Sequence, residues 1–362
     1  MNILVVCSTI NFRDFTRRAT IEAINKEGDN TDVLLFTSLK NLFKKKTKVR
    51  NITFSTYHFW IPDRLKKFIF LNNFEYKLRG WFWNKKISKY DLIFFTDTNQ
   101  SWLLPYILKP KLVYLIRDPN ILQNIRCKKN EIAILKRADL VLATSRNLEK
   151  EYLPKYYGFS HKNICYWPNT VDIDTWDYEK LSFLKSDKST CIAGMAGNLN
   201  NRTDLELLDY ITQEKKRIQF IIVGKNNLST IDREKFESIL KRENVSYLGF
   251  ISFDILPREV IKWDIGLTIE KFCEYTKYTH HNKIYQYLAL GMPVVTLKIH
   301  DDYKDFYPYI QSAVDYKEYS EAIDYAIEKG RNHNFKDECI KLAKLNSSKV
   351  RAKEFLSLIK TI

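Results

Sequence analysis

Residues 279–295, THHNKIYQYLALGMPVV, read as a polar loop, a short helix, a glycine stop and a buried strand. The first backbone N–H groups of a helix lack internal partners and lie at the positive end of its dipole, so a phosphate placed there is held without further chemistry. Asn282 and Lys283 stand at that mouth, and Gln286, one turn on, projects toward it. Ile284, Leu288 and Ala289 are spaced to pack on a sheet. His280 and His281 precede the helix. Adjacent histidines point different ways and no Cys or carboxylate stands at ligand spacing, so both are expected to face phosphate rather than a metal. Two more cations follow strand-like runs in the same half: Arg202, after the loop 196–201 with its Gly197 and Asn198, and Lys225, after 221–224. Gly197 lets a ligand approach the backbone closely. Fixed positive charges of this kind suit a diphosphate on which negative charge builds as a bond to it breaks, and they do so in place of a metal ion.

Positioning those side chains requires strands that end on a common side. Strand-like runs at 3–7, 33–36, 92–95, 112–116, 140–143 and 164–167 alternate with helical ones at 13–26, up to about 137, and from 145, the rhythm of a parallel sheet. Turn residues at 168–172, PNTVD, and a polar stretch to 190 mark a hinge. A second series runs through 192–195, 220–223, 245–248, 265–269 and 294–297, with helices from 203 and 232. The expected class is α/β with two doubly wound, Rossmann-like domains, 1–170 and 171–345. A last helix within 346–362 presents Val350, Phe355, Leu356 and Ile359 on one side. Arg202, Lys225 and Lys283 all fall near the C-terminal ends of strands, the ligand side of an open sheet.

With 362 residues, 45% hydrophobic and 28% charged, the chain is long enough for two ordinary cores, and no apolar run approaches the roughly 18 residues of a membrane span. The opening apolar run is too short for a signal peptide, so a cytoplasmic location is expected. Six scattered cysteines without a C-x-x-C pair suggest neither disulfides nor zinc. There is no phosphate loop of the G-x-x-x-x-G-K-[ST] type and no G-x-G-x-x-G after the first strand, which removes the main support for kinase and dinucleotide readings. Asp172 and Asp174 sit in a turn, where carboxylates cap and bend the backbone rather than bind a metal.

Residues 283–295 closely resemble a motif of nucleotide-sugar-dependent glycosyltransferases of the GT-B fold, in which a Lys and a Glu precede Tyr-Leu-Ala-x-Gly-x-Pro-Val-Val. Further pieces are similar and in order: ADLVLATSRNL at 138–148, WPNTVD at 167–172, YLGFI at 247–251 and WDIGL at 263–267. The nearest group is family 4 of the glycosyltransferases, and residues 40–100 match nothing specific. The resemblance implies a cleft between the two domains, a last helix that crosses back to the first domain, and transfer with retention of anomeric configuration. It also implies ribose contact at the position held here by Gln286 and a base lying against 249–251 with Phe250 as a contact. The sequence departs from the family where Gln286 replaces Glu, where Tyr278 stands in the place of an earlier Glu, and where Thr170 replaces Gly. A Gln hydrogen-bonds a hydroxyl as a neutral amide, without the strength of a charged acceptor.

On the acceptor side, the loops after the first strand and after 113–116 are expected to face the cleft. They offer Asn11 and Arg13 as acceptor contacts and Arg117 and Asp118 as catalytic candidates, with Asp118 orienting an acceptor hydroxyl. The net charge of +16 is concentrated: residues 40–90 carry 14 Lys and Arg against Asp63 and Glu75, a local excess of +12. Residues 54–86 interleave aromatics with those charges, and Leu71, Phe74, Leu78 and Trp81 share a helical face. A basic helix with an aromatic side suits the surface of an anionic membrane. The expected protein is therefore a peripheral, metal-independent glycosyltransferase that needs no cofactor beyond a UDP- or GDP-linked sugar. It would act on a glycan or lipid-linked acceptor at the inner face of a bacterial membrane, for a surface polysaccharide such as capsule or lipopolysaccharide. The alternatives are a nucleotide-sugar epimerase or hydrolase of the same fold and a non-catalytic nucleotide-sugar-binding protein. A nucleic-acid partner is not expected, since no binding motif accompanies the basic segment.

Overall fold

Short apolar, β-branched runs separated by amphipathic helices form parallel strands, since both faces of such a sheet are covered and every position must be apolar. The computed structural model describes residues 1–7, 17–27, 30–38, 52–59, 69–159, 163–185, 190–299 and 301–362. These residues divide into two units, 1–168 with 348–362, and 169–347.

In the first unit, seven strands run β1 (Asn2–Cys7), β2 (Asn30–Ser38), β3 (Thr53–Phe59), β4 (Leu92–Phe95), β5 (Lys111–Ile116), β6 (Leu140–Ala143) and β7 (Ile164–Tyr166). They lie in the order β3-β2-β1-β4-β5-β6-β7, all parallel, with Val5 beside Val33 on one side and Phe94 on the other. The order reverses between β1 and β4, so the strand ends there open a crevice. The closing helix Ser348–Leu358 supplies Ala352 and Phe355, followed by Ile359, to the core that holds Ile3, Val5, Phe94 and Trp167. The Phe355 ring centroid is 5.2 Å from that of Phe94 and 5.9 Å from that of Trp167. Arg17 lies with its guanidinium 4.3 Å from the centre of the Trp167 ring and donates to the Pro168 carbonyl at 3.0 Å.

In the second unit, β8 (Ile192–Ala196), β9 (Gln219–Val223), β10 (Val245–Gly249), β11 (Ile265–Leu267), β12 (Val294–Leu297) and β13 (Ile310–Ala313) form a parallel sheet in the order β10-β9-β8-β11-β12-β13. Three of its longer helices begin at side-chain caps. Asp204 accepts from the Leu207 N–H, Ser229 from Asp232 and Asp315 from Glu318.

Two strands escaped the sequence reading. β3 mixes polar residues with aromatic ones inside the basic segment, and β13 is a four-residue run, IQSA, with a single strongly apolar member. The strand expected at 265–269 ends at Leu267. The helix expected at 13–26 is described as Arg18–Lys26, and residues 13–16 lie outside the described set.

Candidate functional site

The C-terminal ends of β8, β9 and β11 and the start of the helix Asn282–Ala289 bring most of the expected donor-side residues together in the second unit. The Ala196 N–H at the end of β8 donates to the Tyr287 hydroxyl at 2.8 Å, which fixes the helix against that strand. Beyond it, the Gly197 N–H donates to the Val223 carbonyl at 2.8 Å. Gly224 has a φ of 150°, and a Cβ there would lie 1.8 Å from the Gly197 carbonyl oxygen, so these loops approach only because residue 224 has no side chain. On the other side of Gly197 is the Lys283 ammonium. A Cβ at Gly197 would sit 2.9 Å from its Nζ.

Glu270 completes the cluster, and sequence reasoning had missed it. Residue 270 pairs with Thr203 in an antiparallel bridge, and the Lys271 N–H donates to the Arg202 carbonyl at 2.8 Å. The Glu270 carboxylate lies 3.6 Å from Lys283 Nζ and 3.4 Å from His281 Nε2. Burial alone would push its pKa up, but the charges of His281, Lys283 and Arg202 outweigh burial and hold it below the ordinary carboxylate range. The Arg202 guanidinium is 4.4 Å from the centre of the Tyr275 ring. Glu270 precedes the helix by a full loop, so no spacing rule points to it; the acidic residue beside a strand end in a strongly basic chain was the one available signal.

Asn198, Lys225 and Phe250 gather on the neighbouring ends of β8, β9 and β10. The Lys225 ammonium is 4.7 Å from the centre of the Phe250 ring, which is 61% exposed, and the Lys225 N–H donates to Asn198 Oδ1 at 3.3 Å. Asn198 thus ties two loops together. In the helix Asn282–Ala289 the buried residues are Ile284, Tyr285, Tyr287, Leu288 and Ala289, leaving Asn282, Lys283 and Gln286 together on the open side. The His281 side chain makes no cap at the helix start and turns to Glu270 instead.

One expectation needs correction. His280 does not face the site. It is buried, its ring stacks on Tyr285 with centroids 5.6 Å apart, and its carbonyl accepts from Asn169 Nδ2, because an imidazole beside aromatic rings packs better inside than in a wet loop. Tyr278, which stands where the family has an earlier Glu, is also fully buried, with its hydroxyl donating to Glu274 at 3.0 Å, so that position belongs to the core here.

In the first unit, Arg117 and Asp118 follow β5 and are half-buried. Burial raises the pKa of Asp97, opposed by the Asn99 N–H and by the charge of Arg117. Asp97 caps the short helix Thr98–Tyr106 in a reciprocal box with Gln100. Burial likewise pushes the Cys7 thiol up to about 12, against the pull of Thr96 and Arg117. Asn11 and Arg13 lie outside the described residues. Among the described residues, no group of three His, Cys, Asp or Glu is arranged to hold a metal ion, and no helix is long and apolar enough to cross a membrane.

No family model matches the chain. Two solved structures superpose over its whole length: Anabaena Alr3699/HepE in complex with UDP and glucose, and the sucrose-phosphate synthase of Thermosynechococcus elongatus. Their TM-scores are 0.73 and 0.77, their identities 15% and 14%, and 100% and 98% of their own chains are covered. The chain has the GT-B fold. Among curated proteins it is similar to TuaH of Bacillus subtilis (strain 168), provisionally named as a glycosyltransferase of teichuronic acid biosynthesis, at 23% identity over 222 residues. That match takes in 60% of this chain and 54% of TuaH, so the chain spans about half the length of this relative.

Proposed function

We propose that this protein is a glycosyltransferase that moves a sugar from a nucleoside diphosphate donor to a hydroxyl of a glycan or lipid-linked acceptor in bacterial surface-polysaccharide synthesis. The observation that carries this reading is the convergence of Lys283, His281 and Arg202 around Glu270, with Lys283 over the bare backbone of Gly197, at the strand ends of a GT-B second unit. The donor diphosphate takes the place above Gly197. Lys283, Arg202 and the open N–H groups of the helix Asn282–Ala289 meet the charge that collects on it as the anomeric bond breaks. Glu270 balances these cations and keeps them in register. Lys225 and Phe250 border the nucleoside side, and Gln286 reaches the ribose as a neutral amide. The family resemblance supports retention of configuration, and the cations Lys283 and Arg202 support catalysis without a metal. Arg117 and Asp118 are the acceptor-side candidates. The HepE structure, with UDP and glucose bound, and the name of TuaH both support the reading.

Thermal unfolding in the presence of UDP- and GDP-linked sugars tests it first, because a ligand bound only by the folded state raises the melting temperature. One donor is expected to shift the transition. Lys283→Ala and Arg202→Ala should each weaken turnover of that donor by about 10- to 100-fold, the loss of one charge-assisted contact. Unchanged kinetics in both variants would remove the pair from the site, and conversion of the donor without any acceptor would identify an epimerase or hydrolase instead.

A further inference from the structure

The helix Ile69–Ile87 in the first unit is apolar on both sides: Trp83 and Ile87 are buried, while other large aromatics face outward. Its buried side holds an ion pair, Glu75 and Arg79 at 2.7 Å, with the two side chains 2% and 0% exposed. The Arg79 guanidinium also lies 5.1 Å and 5.4 Å from the ring centres of Tyr76 and Trp102. Its open side holds Phe70, Phe74 and Trp81, which are 69%, 61% and 72% exposed, with Phe82 at 49%. Phe70, Phe74, Lys77, Trp81 and Lys85 recur every third or fourth position and so line one stripe along the helix, while Leu71 and Leu78 at its margin are half-buried. The Trp81 and Phe82 rings meet edge to face at 5.2 Å. Lys86 stands beside the stripe, also exposed. A folded helix that buries an ion pair yet presents three large aromatics in one stripe to water marks a contact surface.

We propose that this stripe docks the protein on an anionic lipid bilayer, with Phe70, Phe74 and Trp81 in the interfacial layer and Lys77, Lys85 and Lys86 among the headgroups. Charge selects this occupant. The helix carries a single acid, Glu75, and it is turned inward, so the open side is wholly cationic on a chain of net charge +16. A second copy in a symmetric contact would set lysines against lysines, whereas an anionic surface meets them with opposite sign and accepts aromatic rings at its boundary. The proposal goes beyond sugar transfer and does not depend on it, since binding to vesicles requires no donor.

The full-length protein is to be centrifuged with vesicles of phosphatidylglycerol and phosphatidylcholine in equal parts, and with vesicles of phosphatidylcholine alone. It should sediment with the anionic vesicles, release as salt is raised, and bind the neutral ones at least tenfold more weakly, in the range of about fivefold per lysine engaged. Phe74→Ser with Trp81→Ser should lower binding to anionic vesicles by about tenfold or more, and Lys77→Gln with Lys85→Gln should remove most of its salt dependence. Both pairs are exposed, so an unchanged melting temperature shows that the fold is intact. Equal retention of the Phe74→Ser, Trp81→Ser protein, or failure of the unaltered protein to sediment with anionic vesicles, overturns the proposal. So does a concentration-dependent dimer in solution that the same double variant abolishes, which would assign the stripe to a second copy.

Discussion

Lys283, His281 and Arg202 crowd like charges into one corner, and a single carboxylate, Glu270, makes that arrangement tolerable. Its folded-state pKa is depressed, so its contribution to stability is complete above the unfolded carboxylate range near 4.3 and is lost as pH falls through the lower folded value. Glu270→Gln should therefore lower stability at neutral pH, by about 1–2 kcal/mol for a partly exposed cluster. Its deficit against the unaltered protein should close as pH drops below about 4. Chemical denaturation at several pH values reads this directly, and a deficit that does not vary with pH would assign the loss to packing. Gly197 makes a separate point. A methyl group there would contact Lys283 Nζ at 2.9 Å, the free end of a flexible side chain, so Gly197→Ala should fold normally yet displace the ammonium. The expected outcome is a donor-induced melting shift reduced by about half or more with the unliganded melting temperature preserved.

At the scale of elements, two helices carry the clearest consequences. The closing helix Ser348–Leu358 places Phe355 against Phe94 and Trp167 with no exposure, so Phe355→Ala should cost about 3–5 kcal/mol, measured by denaturant unfolding. The helix Cys127–Arg137 holds Glu131, a carboxyl that burial pushes up while hydroxyls of Tyr114 and Tyr157 and the amide of Asn120 hold it down. Tyr114 donates to it at 2.6 Å and Asn120 at 2.8 Å. Removing the acceptor by Glu131→Ala strands buried donors and should destabilise by about 3 kcal/mol, more than the volume change alone. A conservative Glu131→Gln, which keeps an acceptor oxygen, should recover part of that loss in the same unfolding assay.

The whole molecule contains two units, each with its own sheet and core, and the donor-side cluster belongs entirely to the second. Hydrogen exchange should therefore show donor-dependent protection in β8, β9 and the helix Asn282–Ala289, and Phe355→Ala should leave that pattern in place while it loosens β1 and β4. Most strands were legible beforehand because an apolar run such as LVLA at 140–143 or VVTL at 294–297 has one comfortable environment, the middle of a parallel sheet. The helix Asn282–Ala289 was legible from its period, as was the open side shared by Asn282, Lys283 and Gln286. His280 was misjudged because an imidazole reads the same in a loop and in a core. Periodicity and turn chemistry are relations between neighbours along the chain, and they determined the α/β rhythm, the place of the turn at 168–172 and the cations at strand ends. Glu270 met Lys283 and His281, and Glu75 turned inward while Trp81 turned out, through contacts between segments or through the choice of which helix face meets the sheet. Such contacts exist only once the chain has closed on itself, so the tertiary structure alone decided them.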